Sequence, residues 1–190
     1  MDVHGRKNSN HNNVMTRARI LIAGIGNIFL GDDAFGSEVA RQVMHKKLPD
    51  EVKVVDFGIR GFDLTYALLD GYELTVLVDA APRGGTPGTL YTIEPDLAEL
   101  DELAPHDAMV EPHGMNPLKV LSMVKSMGGK LNRILIVGCE PSPFDPESEG
   151  KLELSPPVKA AVDNAVQMIE SIVNESLTKS ECATGGIVRT

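Results

Sequence analysis

The chain has 190 residues, with 18 Lys and Arg against 27 Asp and Glu, for a formal net charge of −9. That length suits one domain with its own core, and the 42% hydrophobic content is ordinary for a globular protein. The acidic balance argues against a nucleic-acid groove, because such grooves draw affinity from Lys and Arg neutralising phosphates. Two cysteines, Cys139 and Cys182, are too few and too differently placed for a stapled secreted scaffold, and no run reaches the roughly 18 apolar residues of a membrane helix. A cytoplasmic, soluble protein, without membrane or nucleic-acid partners, is the expectation.

Residues 1–16 are Asn-rich and aperiodic and read as a flexible extension in which His4 and His11 are solvated. The folded pattern starts with ARILIAGIG, an apolar strand ending in glycines. AFGSEVARQVMHKKL follows, and Phe35, Val39, Val43 and Leu48 give it an amphipathic helical stripe. VKVVDFG reads as a second strand, FDLTYALLDG as a short helix stopped by glycine, and ELTVLVDAAP as a third strand ended by proline. GTLYTIEP alternates apolar and polar residues after a Pro-Gly turn, which suits an edge strand able to run antiparallel. After an acidic, Pro- and His-containing loop over 95–115, NPLKVLSMVKSMGG places Leu118, Leu121, Val124 and Met127 as the core face of a helix. NRILIVGCEP supplies the last strand. SPPVKAAVDNAVQMIESIVNESL supplies a serine-capped closing helix with Val162, Val166 and Ile169 inward. Periodicity is lost near residue 178, so 17–177 is expected to be the domain and 178–190 a frayed tail. Alternating strands and helices predict an α/β domain: a mainly parallel twisted sheet of about five strands with helices on both faces.

GIGNIFLGDDAFG, between strand and helix, invites comparison with a dinucleotide fingerprint, with Asp56 as ribose ligand. Phe29 occupies the place of the third glycine, however, and Asp32 and Asp33 crowd the helix start where a pyrophosphate would sit. A phosphate charge about 5 Å from one carboxylate meets roughly 3 kcal/mol of repulsion at an effective dielectric near 20, and here there are two. Gly24 and Gly26 are therefore expected to give the backbone its tight exit from the strand. Either aspartate can equally cap the following helix.

In a parallel sheet all strands end on one rim, and ligands favour the crevice outside it. Asp33, Asp56, Asp79, Cys139 and Glu140 all fall at that rim by sequence position. His113, in the loop EPHGMNPL, adds an imidazole. Two carboxylates and one imidazole form an oxygen and nitrogen donor set suited to nickel, zinc, manganese or iron, with positions left open. HExxH and GxSxG motifs are absent from the sequence. Cys139 reads as buried filler, His106 and Cys182 as bystanders, and His45 as a residue capping the first helix.

GIGNIFLGDDAFG, LVDAA and EPHGMNPLKVL together resemble the hydrogenase maturation proteases, the HyaD/HybD-like endopeptidases, over roughly residues 18–174. The resemblance implies an endopeptidase that removes the C-terminal extension of a nickel-iron hydrogenase large-subunit precursor after nickel insertion. It implies nickel carried by the substrate rather than held permanently, with Asp33, Asp79 and His113 as ligands and catalytic residues. Asp33 is preferred to Asp32 because the family uses the second acid of the pair. The loop commonly reading Gly-Thr-x-Gly in that family is Gly58-Ile59-Arg60-Gly61 here, so a hydroxyl is lost and Arg60 can meet an acidic substrate group or lie idle at the surface. Whether metal or carboxylate activates water stays open, as does a non-cleaving nickel- or substrate-binding module of the same fold. A monomer is expected.

Overall fold

Runs such as ILIAGI and LTVLVDA carry apolar side chains on both alternating faces, so each strand must be covered on two sides. The computed structural model describes residues 18–98, 116–143 and 152–184 and meets that demand with three layers. The strands are β1 (Ile20–Ile25), β2 (Val52–Gly58), β3 (Leu74–Ala80), β4 (Leu90–Ile93) and β5 (Arg133–Cys139). They lie in the order β2-β1-β3-β5-β4. The first four of that order are parallel, and β4 pairs antiparallel with β5 at the edge.

The helices are α1 (Phe35–Met44), α2 (Gly61–Leu68), α3 (Pro117–Ser126) and α4 (Pro156–Thr184). The period-2 alternation of the strands divides the core. Ile20 and Ile22 of β1, Val76 and Val78 of β3, and Leu135 and Val137 of β5 pack with Phe35, Val39 and Val43 of α1 and Val162, Val166 and Ile169 of α4. Leu21, Ala23 and Ile25 of β1 and Leu77 of β3 face the opposite way, against Leu64 and Leu68 of α2 and Val120, Leu121 and Val124 of α3. One sheet thus feeds two cores, each closed by a helix pair, as the sequence pattern predicts.

Two expectations need correction. Leu118 and Met127 do not face the core; they are 39% and 47% exposed, and Val120 joins Leu121 and Val124 instead. A strict three-residue spacing falls roughly 60° short of a full turn at each step, so Leu118 and Met127 cannot share the face of the two residues between them. The closing helix also continues past 177 to Thr184. Thr178 to Thr184 contains neither Gly nor Pro, and a helix ends at a breaker rather than where its apolar stripe fades. Cys182 therefore lies on helical backbone.

Candidate functional site at the sheet's switch point

From β1 the chain moves to β2 on one side, and later to β3 on the other. The crevice beyond the C-terminal ends of β1 and β3 is therefore the topological switch point, where α/β sheets place ligands. Close packing sets what stands there. A Cβ on Gly24 would come within 2.5 Å of both Ala40 Cβ and the Gly36 carbonyl, so these two glycines let α1 press directly on the strand ends. Gly26 has φ 135°, a conformation open to glycine, and a side chain there would collide with the Asp33 carbonyl. The glycines are positional, as expected.

Between them and α1 the chain makes a 3₁₀ turn, Gly31–Ala34, which contains both acids. Neither carboxylate caps α1, whose N-cap position falls on Ala34 with no side-chain cap bond, so the capping expectation fails. The two aspartates have separate partners. Asp32 accepts hydrogen bonds from the Ser142 and Ser155 backbone N–H groups at 2.8 and 2.6 Å, and from the Ser155 hydroxyl at 2.8 Å. It ties the exit of β5 and the approach to α4 to the glycine loop. The predicted serine cap thus turns its hydroxyl to Asp32, while accepting a bond from the Ser142 hydroxyl at 2.8 Å. Asp33 Oδ2 accepts from the Asn27 N–H at 2.7 Å.

Asp79 leaves β3 half-buried, on the side of the sheet that faces α2 and α3. Burial raises its pKa, the nearby Asp33 charge raises it further, and the Ala80 N–H offsets part; the outcome is about 8. Two carboxylates from different elements thus share one crevice.

The other rim residues are already occupied. Asp56 Oδ1 accepts from the Ser37 hydroxyl at 2.8 Å and the Gly58 N–H at 3.0 Å, fastening β2 to α1. Glu140 is buried and accepts from the Arg83 and Gly84 N–H groups and the Tyr91 hydroxyl at 2.8–3.0 Å. Burial opposes its charge, yet those bonds together hold its pKa below the ordinary glutamate value. Cys139 is fully buried, and burial, aided by the charges of Asp32 and Glu140, pushes its thiol up to about 11, which rules it out as a thiolate nucleophile. Arg60 is exposed and bends back to the Asp56 and Phe57 carbonyls at 2.6 and 3.0 Å, with Asp63 at 3.7 Å. His45 is the C-cap residue of α1.

His113 lies outside the described residues, as do His106, His4 and His11. Among the described residues no three His, Cys, Asp or Glu side chains gather at metal-binding distances. Of the three expected ligands the described residues include Asp33 and Asp79, near enough that the charge of one raises the pKa of the other. The structure also displays two features that sequence reasoning overlooked: the Asp32–Ser142–Ser155 junction, and a row of exposed apolar side chains beside the acids. The first had no local signal. The second was visible as IFL within a glycine loop.

A nucleotide fares poorly here. The Asn27 amide, which a phosphate-binding loop would offer its anion, is taken by Asp33, and the carboxylate stands in the crevice.

An α/β domain with paired acids at its switch point defines a class of acidic-site proteins that accept cations or do proton-transfer chemistry. Comparison narrows the class. The family model described as hydrogenase maturation protease matches residues 37–172. A hydrogenase expression/formation protein, HupD, of Rhizobium leguminosarum bv. viciae is 33% identical over 159 residues, covering 80% of this chain and 75% of that protein. The crystal structure of a hydrogenase 2 maturation peptidase from Thaumarchaeota archaeon SCGC_AB-539-E09 superposes with a TM-score of 0.62 at 31% identity, covering 82% of this chain and 98% of that one. The Escherichia coli hydrogenase maturating endopeptidase HybD superposes with a TM-score of 0.65 at 25% identity, covering 83% and 93%. The chain belongs to the hydrogenase maturation protease family and is a peptidase of that family.

Proposed function

We propose that this enzyme removes the C-terminal extension of a nickel-iron hydrogenase large-subunit precursor once nickel has been inserted, and that it recognises the nickel its substrate carries. The observation that carries the reading is the Asp33–Asp79 pair, in which one carboxylate is held protonated up to about pH 8 by burial and by the other's charge. A fold gains nothing from burying a carboxyl beside another acid; a cation entering between the two would replace the proton that burial and the Asp33 charge keep on Asp79. Oxygen donors from Asp33 and Asp79, with the His113 imidazole, make a set that suits nickel and leaves positions for groups of the substrate.

In this reading the substrate's metal acts as a register pin. Asp33 and Asp79 hold it at the switch point, and the polypeptide attached to it is thereby placed with its scissile bond over the crevice. The proton displaced from Asp79 when the metal arrives leaves that carboxylate ionised, able to hold the metal or orient a water. A precursor without nickel offers nothing for the pair to grip. Removal of an extension only after metal insertion follows from that arrangement.

The test is cleavage in vitro. Nickel-loaded precursor should shorten when mixed with the wild-type chain and remain intact with Asp79→Ala, while metal-free precursor should remain intact with both. A nickel-loaded precursor left whole by wild-type enzyme, but retained by it in a pull-down, would replace the peptidase reading with a non-cleaving binding module. No helix among the described residues is long and apolar enough to cross a membrane.

A further inference from the structure

Three consecutive exposed apolar side chains in a loop are unfavourable in water unless another surface covers them in use. Ile28, Phe29 and Leu30 form such a run, 53%, 64% and 57% exposed, at the tip of the loop whose base carries Asp33. The tip is held in place. Leu30 N–H donates to the Asn27 carbonyl and Phe29 N–H to Asn27 Oδ1, both at 3.0 Å, and Asn27 N–H donates to Asp33. The apolar tip and the acid are thus parts of one hydrogen-bonded unit.

A second apolar set follows the neighbouring strand end. Ile59, Phe62 and Tyr66 are 52%, 58% and 62% exposed. Phe62 and Tyr66 stand one helical turn apart on α2, on an outward stripe, while Leu64, Thr65 and Leu68 face inward. The two sets adjoin, because the Gly26 N–H donates to the Gly58 carbonyl at 3.1 Å and so joins the base of the first loop to the residue before Ile59. Both lie at the C-terminal rim of the sheet, the first after β1 at the crevice and the second after β2, one strand further out. Elsewhere, exposed large apolar residues such as Met44 and Met127 stand singly at helix ends.

We propose that Ile28, Phe29, Leu30, Ile59, Phe62 and Tyr66 form the docking surface for an apolar stretch of the substrate polypeptide adjoining its scissile bond. This rests on the peptidase reading above, since a peptide must cross the rim to reach the acids. Continuity with the crevice favours the substrate over a second copy of this chain. A copy seated here would cover Asp33 and Asp79, and two chains at −9 each repel on approach. Phe29, Phe62 and Tyr66 supply the rigid aromatic contacts that dominate such surfaces, and Ile28, Leu30 and Ile59 fill between them.

The test compares the wild-type chain, the double variant Phe62→Ser/Tyr66→Ser, the single variant Phe29→Ser, and Met44→Ser as an apolar-surface control, on nickel-loaded large-subunit precursor. The docking variants should raise KM by about tenfold or more, with the control unchanged and all thermal midpoints near wild type. Nickel(II) binding by the free enzyme, read by calorimetry, should be the same in all four. Failure of the wild-type chain to cleave overturns the peptidase reading and this proposal with it. Cleavage by wild type with an unaltered KM in both docking variants overturns the proposal alone. Two further outcomes also overturn it: a wild-type dimer in sedimentation that Phe62→Ser/Tyr66→Ser dissolves makes the surface a self-interface, and a lowered thermal midpoint with unchanged KM makes it a cover for another part of this chain.

Discussion

Asp79 at the end of β3 and Glu140 just past the end of β5 occupy nearly equivalent places on neighbouring strands, with Asp79 in register with Gly138. Their environments are opposite. Glu140 is met by the Arg83, Gly84 and Gly85 N–H groups and the Tyr91 hydroxyl, so its charge is satisfied by the fold and its pKa is lowered. Asp79 has the Ala80 N–H, a half-buried position and Asp33 beside it, and its pKa rises to about 8. A carboxylate whose charge the fold satisfies is part of the architecture, whereas one kept protonated by burial and a like charge is the mark of a functional-site candidate. Glu140 organises the loop that follows Asp79, and Asp79 faces the crevice.

The largest effect should come from breaking the unmet pair. Asp79→Ala or Asp33→Ala should lower cleavage of nickel-loaded precursor by at least about 10³-fold, measured in single turnover, because each removes a group that acts only together with the other. Loss of activity without loss of fold, checked by circular dichroism, is the signature of a reserved acid. A variant retaining a tenth of wild-type activity would place Asp79 among architectural residues like Glu140.

The same contrast has a pH form. Asp79 carries a folded pKa of about 8 against the ordinary aspartate value of 3.8. Below the lower value both folded and unfolded chains bind the proton, and the contribution to stability is complete. As pH rises, the unfolded chain releases the proton first, so that contribution is lost progressively until the folded carboxyl ionises near pH 8. Asp79→Asn, which stays uncharged, should therefore be more stable than wild type at pH 8 by on the order of a few kcal/mol, with the gap shrinking toward pH 4. Glu140 has the opposite sign. Its lowered pKa gives stability that is present above the ordinary carboxylate range and is lost as pH falls through the folded value. Urea titrations of wild type, Asp79→Asn and Glu140→Gln across that range read both slopes.

Much of this arrangement was legible in the chain. The five strands announce themselves because their apolar runs are bounded by Gly, Pro and acidic residues, and β4 is marked as the edge by its alternation. Asp79 could be placed at the rim because a charge that follows TVLV must emerge where the strand does. The division of labour between Asp32 and Asp33 was not legible, since adjacent acids have the same local sequence context. Asp32's partners lie 110 and 123 residues away, at Ser142 and Ser155. The resemblance singled out Asp33, and the donors around Asp32 give a physical reason for the other acid's separate employment. His113 rests on resemblance alone, because its loop lies outside the described residues.

Asp32 then extends the comparison to a third carboxylate, one joined to distant elements rather than to its own loop. Asp32→Ala leaves two backbone N–H groups and one hydroxyl without their acceptor, for a cost on the order of 2 kcal/mol in a half-buried site that water partly reaches. Stability should fall while nickel(II) affinity in the folded protein changes little. A variant with wild-type stability but weakened metal binding would exchange the roles assigned to the two neighbours.

The smallest effect tests whether Glu140 is held by its donors jointly or by one of them. Tyr91→Phe removes the hydroxyl that donates at 2.8 Å and leaves the N–H groups of the loop after β3 in place. With most donors retained, the Glu140 pKa should stay below the ordinary glutamate value, and the acid limb of the stability profile should move upward only slightly. Arg83, whose guanidinium lies 5.7 Å from the Tyr91 ring centroid, keeps an aromatic face to rest on in the variant, so the loop loses one hydrogen bond and little packing. Cleavage should be unaltered, because the Tyr91 hydroxyl bonds to Glu140 and not to Asp79. If Tyr91→Phe instead lowered cleavage as strongly as Asp33→Ala, the loop after β3 would be transmitting its order to Asp79, and the separation between the satisfied and the unsatisfied carboxylate would be one of degree.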